Sequence, residues 1–376
     1  MISEEIREAS STGNAGIASA VSVLLIAPSL AITGGQSVQA DHLVRVLNQD
    51  PAQAVTFFPL SPLPPKPFLW ILKIPFLRTI ASLTQYCAKL LLAARKPDVL
   101  HIFTAGLSSY SLWTIPALLV GKLYGKKLII HYHDGQAEQH IKTWRTALPT
   151  LKMADRVIAP SGFLVDVFAK YGIKAQVIFN ILDTDGFIYR KRRNLLPNFM
   201  TNRGLEPLYN VECILRAFKI VQAKYPAARL TIAHDGFHRP VLEKLAQDLE
   251  LKNTSFIGKV PHSQMPALYD AADIYLTTPN IDNMPGSILE CFASGLPVVA
   301  TKAGGIPYIA EDCRTALLVD LNDHQAVAAR CIELLENPDL VERLTANGLA
   351  ETKRYGWQVI RDQWSALYHE VLTKSR

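Results

Sequence analysis

Residues 282–305 read DNMPGSILECFASGLPVVATKAGG. Two carboxylates, Asp282 and Glu290, stand eight positions apart at the head of this stretch. Pro285 and Gly286 suit the opening of a helix whose apolar face is Ile288, Leu289 and Phe292, and Gly295 with Pro297 supplies its stop signal. Helical side chains lean toward the N-terminus, so Glu290, in the second turn, points back at the loop carrying Asp282. Both carboxylates can then face one ligand. Pro297 to Thr301 (PVVAT) has the β-branched density of a strand buried on both faces, as in parallel sheets covered by helices. Gly304-Gly305 follows at its carboxyl end, the edge where open α/β sheets bind ligands. The stretch reads as a pocket for a phosphorylated, hydroxyl-rich ligand.

Outward from it, apolar β-type runs alternate with helix-period segments along the whole chain, the pattern of doubly wound parallel sheets. The series comes twice. The first set is Val21 to Ala27, Ala54 to Phe57, Asp98 to Ile102, Lys127 to His131, Arg156 to Ala159 and Gln176 to Phe179. The second is Arg229 to Ala233, Thr254 to Ile257, Asp273 to Thr277, Pro297 to Thr301 and Ala316 to Val319. Between them, Asp183 to Met200 is polar and irregular, with basic residues from Arg190 to Arg193, and reads as a linker. The expectation is two Rossmann-like domains, 1–188 and 189–354, facing a cleft. A last helix over 355–376, carrying Trp357, Trp364 and Tyr368 near helical spacing, packs back on the first domain.

A chain of 376 residues exceeds the usual single core, in keeping with two domains. The net charge of +6 favours an anionic partner without choosing it. The five cysteines form no CxxC and lie mainly in apolar stretches, which points to a reducing, cytosolic compartment without disulfides. Glu4, Glu5 and Glu8 near the start, and Pro28 within the first apolar run, fit a first strand better than an export signal. Ile102 to Gly121 is twenty residues without a charge, long enough to cross a bilayer. Its glycine, serines and proline divide it instead into a strand end, a loop and a helix from Trp113 to Leu123.

Three further motifs each carry two readings. Gly34-Gly35, between the first strand and a helix over Val38 to Val46, either presents backbone N–H groups to a phosphate or sugar or is a plain tight turn. It lacks the third glycine and downstream acid of a dinucleotide fingerprint. In His131-Tyr132-His133-Asp134-Gly135 the two imidazoles share a strand face, so the readings are substrate contact, structural histidines or zinc ligation. Asp183-Thr184-Asp185 has the form of a DxD metal-diphosphate motif but falls in the linker, where a solvated turn is the simpler reading.

Together these pieces resemble the retaining nucleotide-sugar glycosyltransferases of the two-domain GT-B fold, family 4. The order matches along nearly the whole chain: the GG loop, DVLHIFTAG (98–106), HYHDG (131–135), ADRVIAPS (154–161), FNILD (179–183), LTIAHDG (230–236), FIGKVP (256–261), MPALYDAADIYL (265–276), the 282–305 stretch with its GGIP tail, and 355–357. The resemblance implies that Glu290 receives the nucleotide ribose and Asp282 the donor-sugar hydroxyls. Arg203 would neutralise the diphosphate leaving group, His133 would touch the donor sugar near its reacting face, and Gly34 and Gly35 would lie beneath the diphosphate. The nucleotide sugar is a co-substrate, and Arg203 with helix N-termini and the Gly304 and Gly305 amides would suffice without a metal. Neither a cofactor nor nucleic acid is expected. The rival readings are a nucleotide-sugar epimerase and a noncatalytic subunit that binds a partner or membrane.

Three departures from the family stand out. Tyr209-Asn210, in RGLEPLYNVECILRAF, replaces the family's lysine-glycine, with Lys259 on a neighbouring loop as a substitute cation. His234 stands where a glycine is usual, putting close backbone packing there in doubt, and Asp282 is one methylene shorter than the family's glutamate. Finally, 62–96 is proline-punctuated and aromatic, with Lys66, Lys73, Arg78, Lys89, Arg95 and Lys96 but no acid. This suits either the interface of an anionic membrane or a core helix with solvated cations. A glycan or lipid-linked acceptor follows from the first reading, for a protein working in the cytoplasm at the inner membrane face.

Overall fold

The computed structural model describes residues 20–29, 35–60, 75–184 and 186–373. Gly34, Lys66, Lys73, Asp185 and the acids near the start lie outside the described residues. Among the described residues, twelve strands follow in chain order. Those of the first sheet are β1 (Val21–Ala27), β2 (Gln53–Pro59), β3 (Val99–Thr104), β4 (Lys127–Tyr132), β5 (Arg156–Ala159) and β6 (Ala175–Val177). Those of the second are β7 (Asn198–Thr201), β8 (Arg229–Ile232), β9 (Thr254–Phe256), β10 (Ile274–Thr277), β11 (Val298–Thr301) and β12 (Leu317–Val319). The orders are β2-β1-β3-β4-β5-β6 and β12-β11-β10-β7-β8-β9. All these pairings are parallel. This is the GT-B arrangement of two Rossmann-like sheets, in which β3, β10, β11 and β12 are buried along their whole length because helices cover both faces.

One strand departs from the sequence expectation. β7 lies at the end of the stretch read as a linker, yet it is a central strand, paired with β8 on one side and β10 on the other. Only Phe199 and Met200 of its four residues are strongly apolar, too short a signal for periodicity. Its position matters because each sheet reverses direction once, between β1 and β3 and between β7 and β10. The chain leaving β7 and β10 therefore opens a crevice at the carboxyl edge.

The charge-free stretch from Ile102 continues β3 to Thr104, then makes a helical turn, a π-helical turn over Tyr110–Thr114 and the helix Ile115–Leu123. No helix among the described residues is long and apolar enough to cross a membrane. The final helix, Trp357–Thr373, returns to the first sheet and buries Ile360, Trp364, Leu367, Tyr368 and Val371 against Val21, Val23, Leu25 and Phe103. Each such large side chain contributes about 1.5–3 kcal/mol by leaving water. Trp357 takes no part in that packing: it is 37% exposed and lies under the Arg361 guanidinium at 5.4 Å.

Between this helix and the sheet runs a file of imidazoles. The Tyr368 hydroxyl lies 2.7 Å from His101 Nδ1, and His101 Nε2 lies 3.3 Å from His131 Nδ1. The His131 ring is 4.1 Å from that of His133, and Trp364 stacks on His101 at 4.3 Å. Burial pushes His101 and His131 well below the ordinary histidine range, and pushes His133 down to about 3.

All three rings are thus neutral in the folded protein, whereas the unfolded chain protonates them near pH 6.5. Stability is complete above that pH and falls as the pH drops, by about 1.4 kcal/mol per pH unit for each histidine. Denaturant unfolding between pH 7.5 and 5 is expected to show this loss, with His101→Asn reducing its slope. A flat profile would contradict it.

Candidate active site

A cavity of about 550 Å³ opens between the carboxyl edges of the two sheets. It gathers six of the residues expected from sequence: Gly35, His133, Arg203, Lys259, Asp282 and Glu290. Gly35 begins the helix Gly35–Leu47, His133 follows β4, Arg203 follows β7 and Asp282 follows β10. Arg203 and Asp282 therefore face each other across the reversal point of the second sheet.

They form an ion pair, Arg203 Nη2 to Asp282 Oδ2, with side chains only 13% and 14% exposed. Burial, the largest influence, lowers the guanidinium pKa, but the Asp282 carboxylate together with Tyr275, Tyr209 and Tyr269 outweighs it and holds Arg203 above the ordinary arginine range. Above the guanidinium lies the ring of Tyr209, its centroid 4.4 Å from Arg203 Cζ. Where the family pattern has a lysine, this chain has a cation–π cover for its arginine. Gly204 makes room for it: a Cβ there would stand 2.9 Å from Tyr209 Cε2. Behind Tyr209, Asn210 adopts φ +47° and caps the helix Val211–Lys224 by accepting from the Cys213 N–H at 3.4 Å. Arg203 Nε is buried in the cavity wall without a hydrogen-bond partner in the described structure. The side chain as a whole lines the cavity, where a guanidinium suits an anion.

Glu290 lies on the helix Gly286–Ala293, whose start at Pro285-Gly286 and apolar face agree with the sequence reading. Burial pushes its carboxyl pKa up, against the pull of a 2.6 Å hydrogen bond donated by the Tyr269 hydroxyl to Oε2. Tyr269 in turn accepts from Asn202 Nδ2 at 2.8 Å, and Asn202 Oδ1 accepts from the Tyr275 hydroxyl at 2.6 Å. Ser287 Oγ, 2.8 Å from that hydroxyl, closes the chain. None of these supporting residues emerges from the sequence: in MPALYDAADIYL the two tyrosines have the spacing of ordinary core aromatics. A buried carboxylate with no backbone partner in sight was the available clue, since such a group needs a donor.

Gly304 and Gly305 stand apart from these residues. They do not line the cavity. The Gly305 N–H donates to the Asp282 carbonyl at 2.8 Å, so it is spent on the loop instead of facing a diphosphate. A Cβ at Gly305 would stand 1.7 Å from the Asn283 carbonyl oxygen, so glycine lets this backbone pass directly under Asp282 and Asn283. His234 turns its side chain into the cavity, with Nδ1 2.7 Å from the Asp235 carbonyl, while close backbone packing in that loop falls on Gly236 against Leu205. Asp183 lines the cavity 3.5 Å from His42 Nε2 while its side chain stays 36% exposed, in keeping with the reading as a solvated turn. His131 and His133 sit among aromatic rings, and no group of three His, Cys, Asp or Glu side chains among the described residues could hold a metal ion.

Comparison with known proteins places the chain. The model for Glycosyltransferase Family 4 matches residues 33–185 and that for Glycosyl transferases group 1 matches 199–350, most of the chain between them. The sulfoquinovosyl transferase SQD2 of Arabidopsis thaliana is 24% identical over 73% of this chain and 58% of its own length. The alpha-monoglucosyldiacylglycerol synthase of Acholeplasma laidlawii is 22% identical over 61% of this chain and 59% of its own. Thus the chain spans less than two thirds of these curated relatives. In fold it resembles HepE of Anabaena, solved in complex with UDP and glucose, with a TM-score of 0.73, 18% identity, and coverage of 93% of this chain and 100% of that one.

Removing the ring over Arg203 tests the charge arrangement. Tyr209→Ala is expected to weaken nucleoside diphosphate binding by about tenfold, the value of a partly desolvated cation–π contact. Tyr209→Phe keeps the ring and should bind as the unsubstituted protein does. Titration calorimetry with UDP and GDP checks both, and equal affinity in all three proteins would contradict the role given to the ring.

Proposed function

Because the chain belongs to the group 1 and family 4 glycosyltransferases, we propose that it moves a sugar from a nucleoside diphosphate donor to an acceptor hydroxyl with retention at the anomeric carbon. The observation that carries this reading is Arg203: a buried guanidinium, paired with Asp282 and covered by Tyr209, lining a cavity shared with Lys259, His133 and Glu290. A noncatalytic subunit gives no account of that cation beside a sugar-sized space, and an epimerase differs in giving an isomer of the donor without an acceptor.

In the proposed reaction the C1–oxygen bond to the diphosphate breaks and its electron pair leaves with the phosphate. The acceptor oxygen bonds to C1 from the same face, and its proton passes to the departing phosphate oxygen. Negative charge accumulates on the diphosphate, where Arg203 and Lys259 meet it; such preorganised stabilisation is usually the largest catalytic term. Glu290, held by Tyr269, accepts from the ribose hydroxyls. Asp282 has one oxygen on Arg203 and the other accepting the Asn283 N–H at 2.8 Å, and its remaining lone pairs receive sugar hydroxyls. His133 stays a neutral imidazole and contributes a hydrogen bond, not a charge.

We place the acceptor at a membrane surface. Asp98 is the only acid between Asp50 and Asp134. The helices Pro75–Ala93 and Ile115–Leu123 expose Leu77, Leu92 (65%), Leu119 and Leu123 (70%) beside Arg78, Arg95, Lys96, Lys122 and Lys126. Tyr124 joins them, donating to the Leu91 carbonyl at 3.0 Å and lying 3.5 Å from Arg95 Nε. Exposed leucines within a basic field suit an anionic bilayer interface. A relative named for a glucosylated diacylglycerol product is compatible with a lipid acceptor.

Two experiments decide these points. With a panel of nucleotide sugars and membrane extract as acceptor, Asp282→Ala and Glu290→Ala should each lower transfer by about a hundredfold or more, and the product anomer, read by NMR, should match the donor's. Transfer unaffected by both substitutions, or isomerised donor without transfer, would overturn the reading. In flotation with anionic and zwitterionic vesicles, binding should require anionic lipid and disappear in the Leu92→Glu, Leu123→Glu double variant; binding that survives the substitution would refute the membrane face.

A further inference from the structure

Asn283 joins the two halves of the molecule at the place where the proposed reaction occurs. It follows Asp282 on the loop after β10, belongs to the second sheet's domain, and is only 7% exposed. Its carboxamide nevertheless finds both partners on the first. Nδ2 donates to the His133 carbonyl at 3.1 Å, and Oδ1 accepts from the Ser161 hydroxyl. A carbonyl can only accept, so the amide orientation is dictated by His133. His133 and Ser161 follow the neighbouring strands β4 and β5, so one side chain is fastened to two adjacent loop starts. The loop bearing Asn283 is itself pinned, with its own N–H on Asp282 Oδ1 at 2.8 Å and its carbonyl against Gly305.

The consequence lies in what flanks the residue. Asp282 precedes it on one side, and His133 is its partner on the other; both line the donor cavity. Arg203, Lys259 and Glu290, by contrast, all come from the second domain and do not depend on where the first domain stands. We propose that Asn283 is a positioning residue: its carboxamide clasps the domains together and thereby sets the His133 side of the cleft against Asp282. This rests on the cavity being the donor site. At the cavity itself the docking of the two domains is then read by this one side chain, with the Tyr308 hydroxyl donating to Asp166 as a second bridge away from the cavity, and nucleotide capture and sugar transfer become separable.

Asn283→Asp tests this because it keeps the shape and removes the donor, placing a carboxylate oxygen against the His133 carbonyl. Ser161→Ala removes the other half of the clasp from the opposite domain and guards against a local folding defect in the Asn283 variant. Both proteins should lose about tenfold to a hundredfold in kcat, the cost of a misplaced reacting group, with the Kd for UDP or GDP unchanged. Small-angle scattering should show a larger radius of gyration than that of the unsubstituted protein. A kcat that does not fall, or a nucleotide affinity that falls in step with kcat in both variants, would overturn the proposal. If the unsubstituted protein transfers no sugar at all, the functional reading fails on its own, and scattering then decides the clasp: superposable profiles would refute it.

Discussion

The cleft is organised around one buried charge. A guanidinium taken out of water is costly unless a carboxylate and hydrogen bonds accompany it, and Arg203 obtains the carboxylate from Asp282 across the crevice left by β7 and β10. Tyr209 covers its face and Gly204 leaves space for that ring. The outcome is a cation fixed in place and lining the cavity. A second cation at position 209 would have brought more charge and more desolvation cost. The chain instead spends the position on holding the first cation still, and Lys259 at the cavity wall adds charge from a separate loop.

This arrangement depends on the fold at two levels. Parallel strands buried on both faces bring every strand end to one edge, so residues from distant parts of the sequence meet there. The charged groups of the donor side, Arg203, Lys259, Asp282 and Glu290, come from the second domain, where Tyr269, Asn202 and Tyr275 hold Glu290. The first domain contributes His133, stiffened by the imidazole file and by the returning C-terminal helix. Its approach is registered through Asn283 and also through Tyr308, whose hydroxyl donates to Asp166. Chemistry at a cleft of this kind is controlled by how the halves meet as much as by the residues on either one.

Much of this was legible in the order of residues. Strands such as VVAT and VLHIFT announce themselves because burial on both faces demands β-branched and aromatic side chains. The carboxylate pair was legible because a proline-glycine helix start fixes where Glu290 points. β7 was not, since four residues with two polar ends carry no periodicity, although pairing on both sides makes the strand indispensable. The surroundings of the glycine pair were not legible: glycine marks a close approach of backbone without saying whether a ligand or the chain itself approaches, and here the Asp282–Asn283 loop lies against both. Tyr269 and Asn283 were hidden for a related reason. Their roles lie in partners far away in sequence, which a helical or turn pattern does not record.

On this reading Arg203, covered by Tyr209 and restrained by Asp282, receives the diphosphate in place of the missing lysine. A crystal structure with a bound nucleoside diphosphate decides the matter. Phosphate oxygens are expected within hydrogen-bond distance of Arg203, with Tyr209 still over the guanidinium and ribose hydroxyls on Glu290. A diphosphate held elsewhere, with Arg203 bonded to Asp282 alone, would contradict the reading.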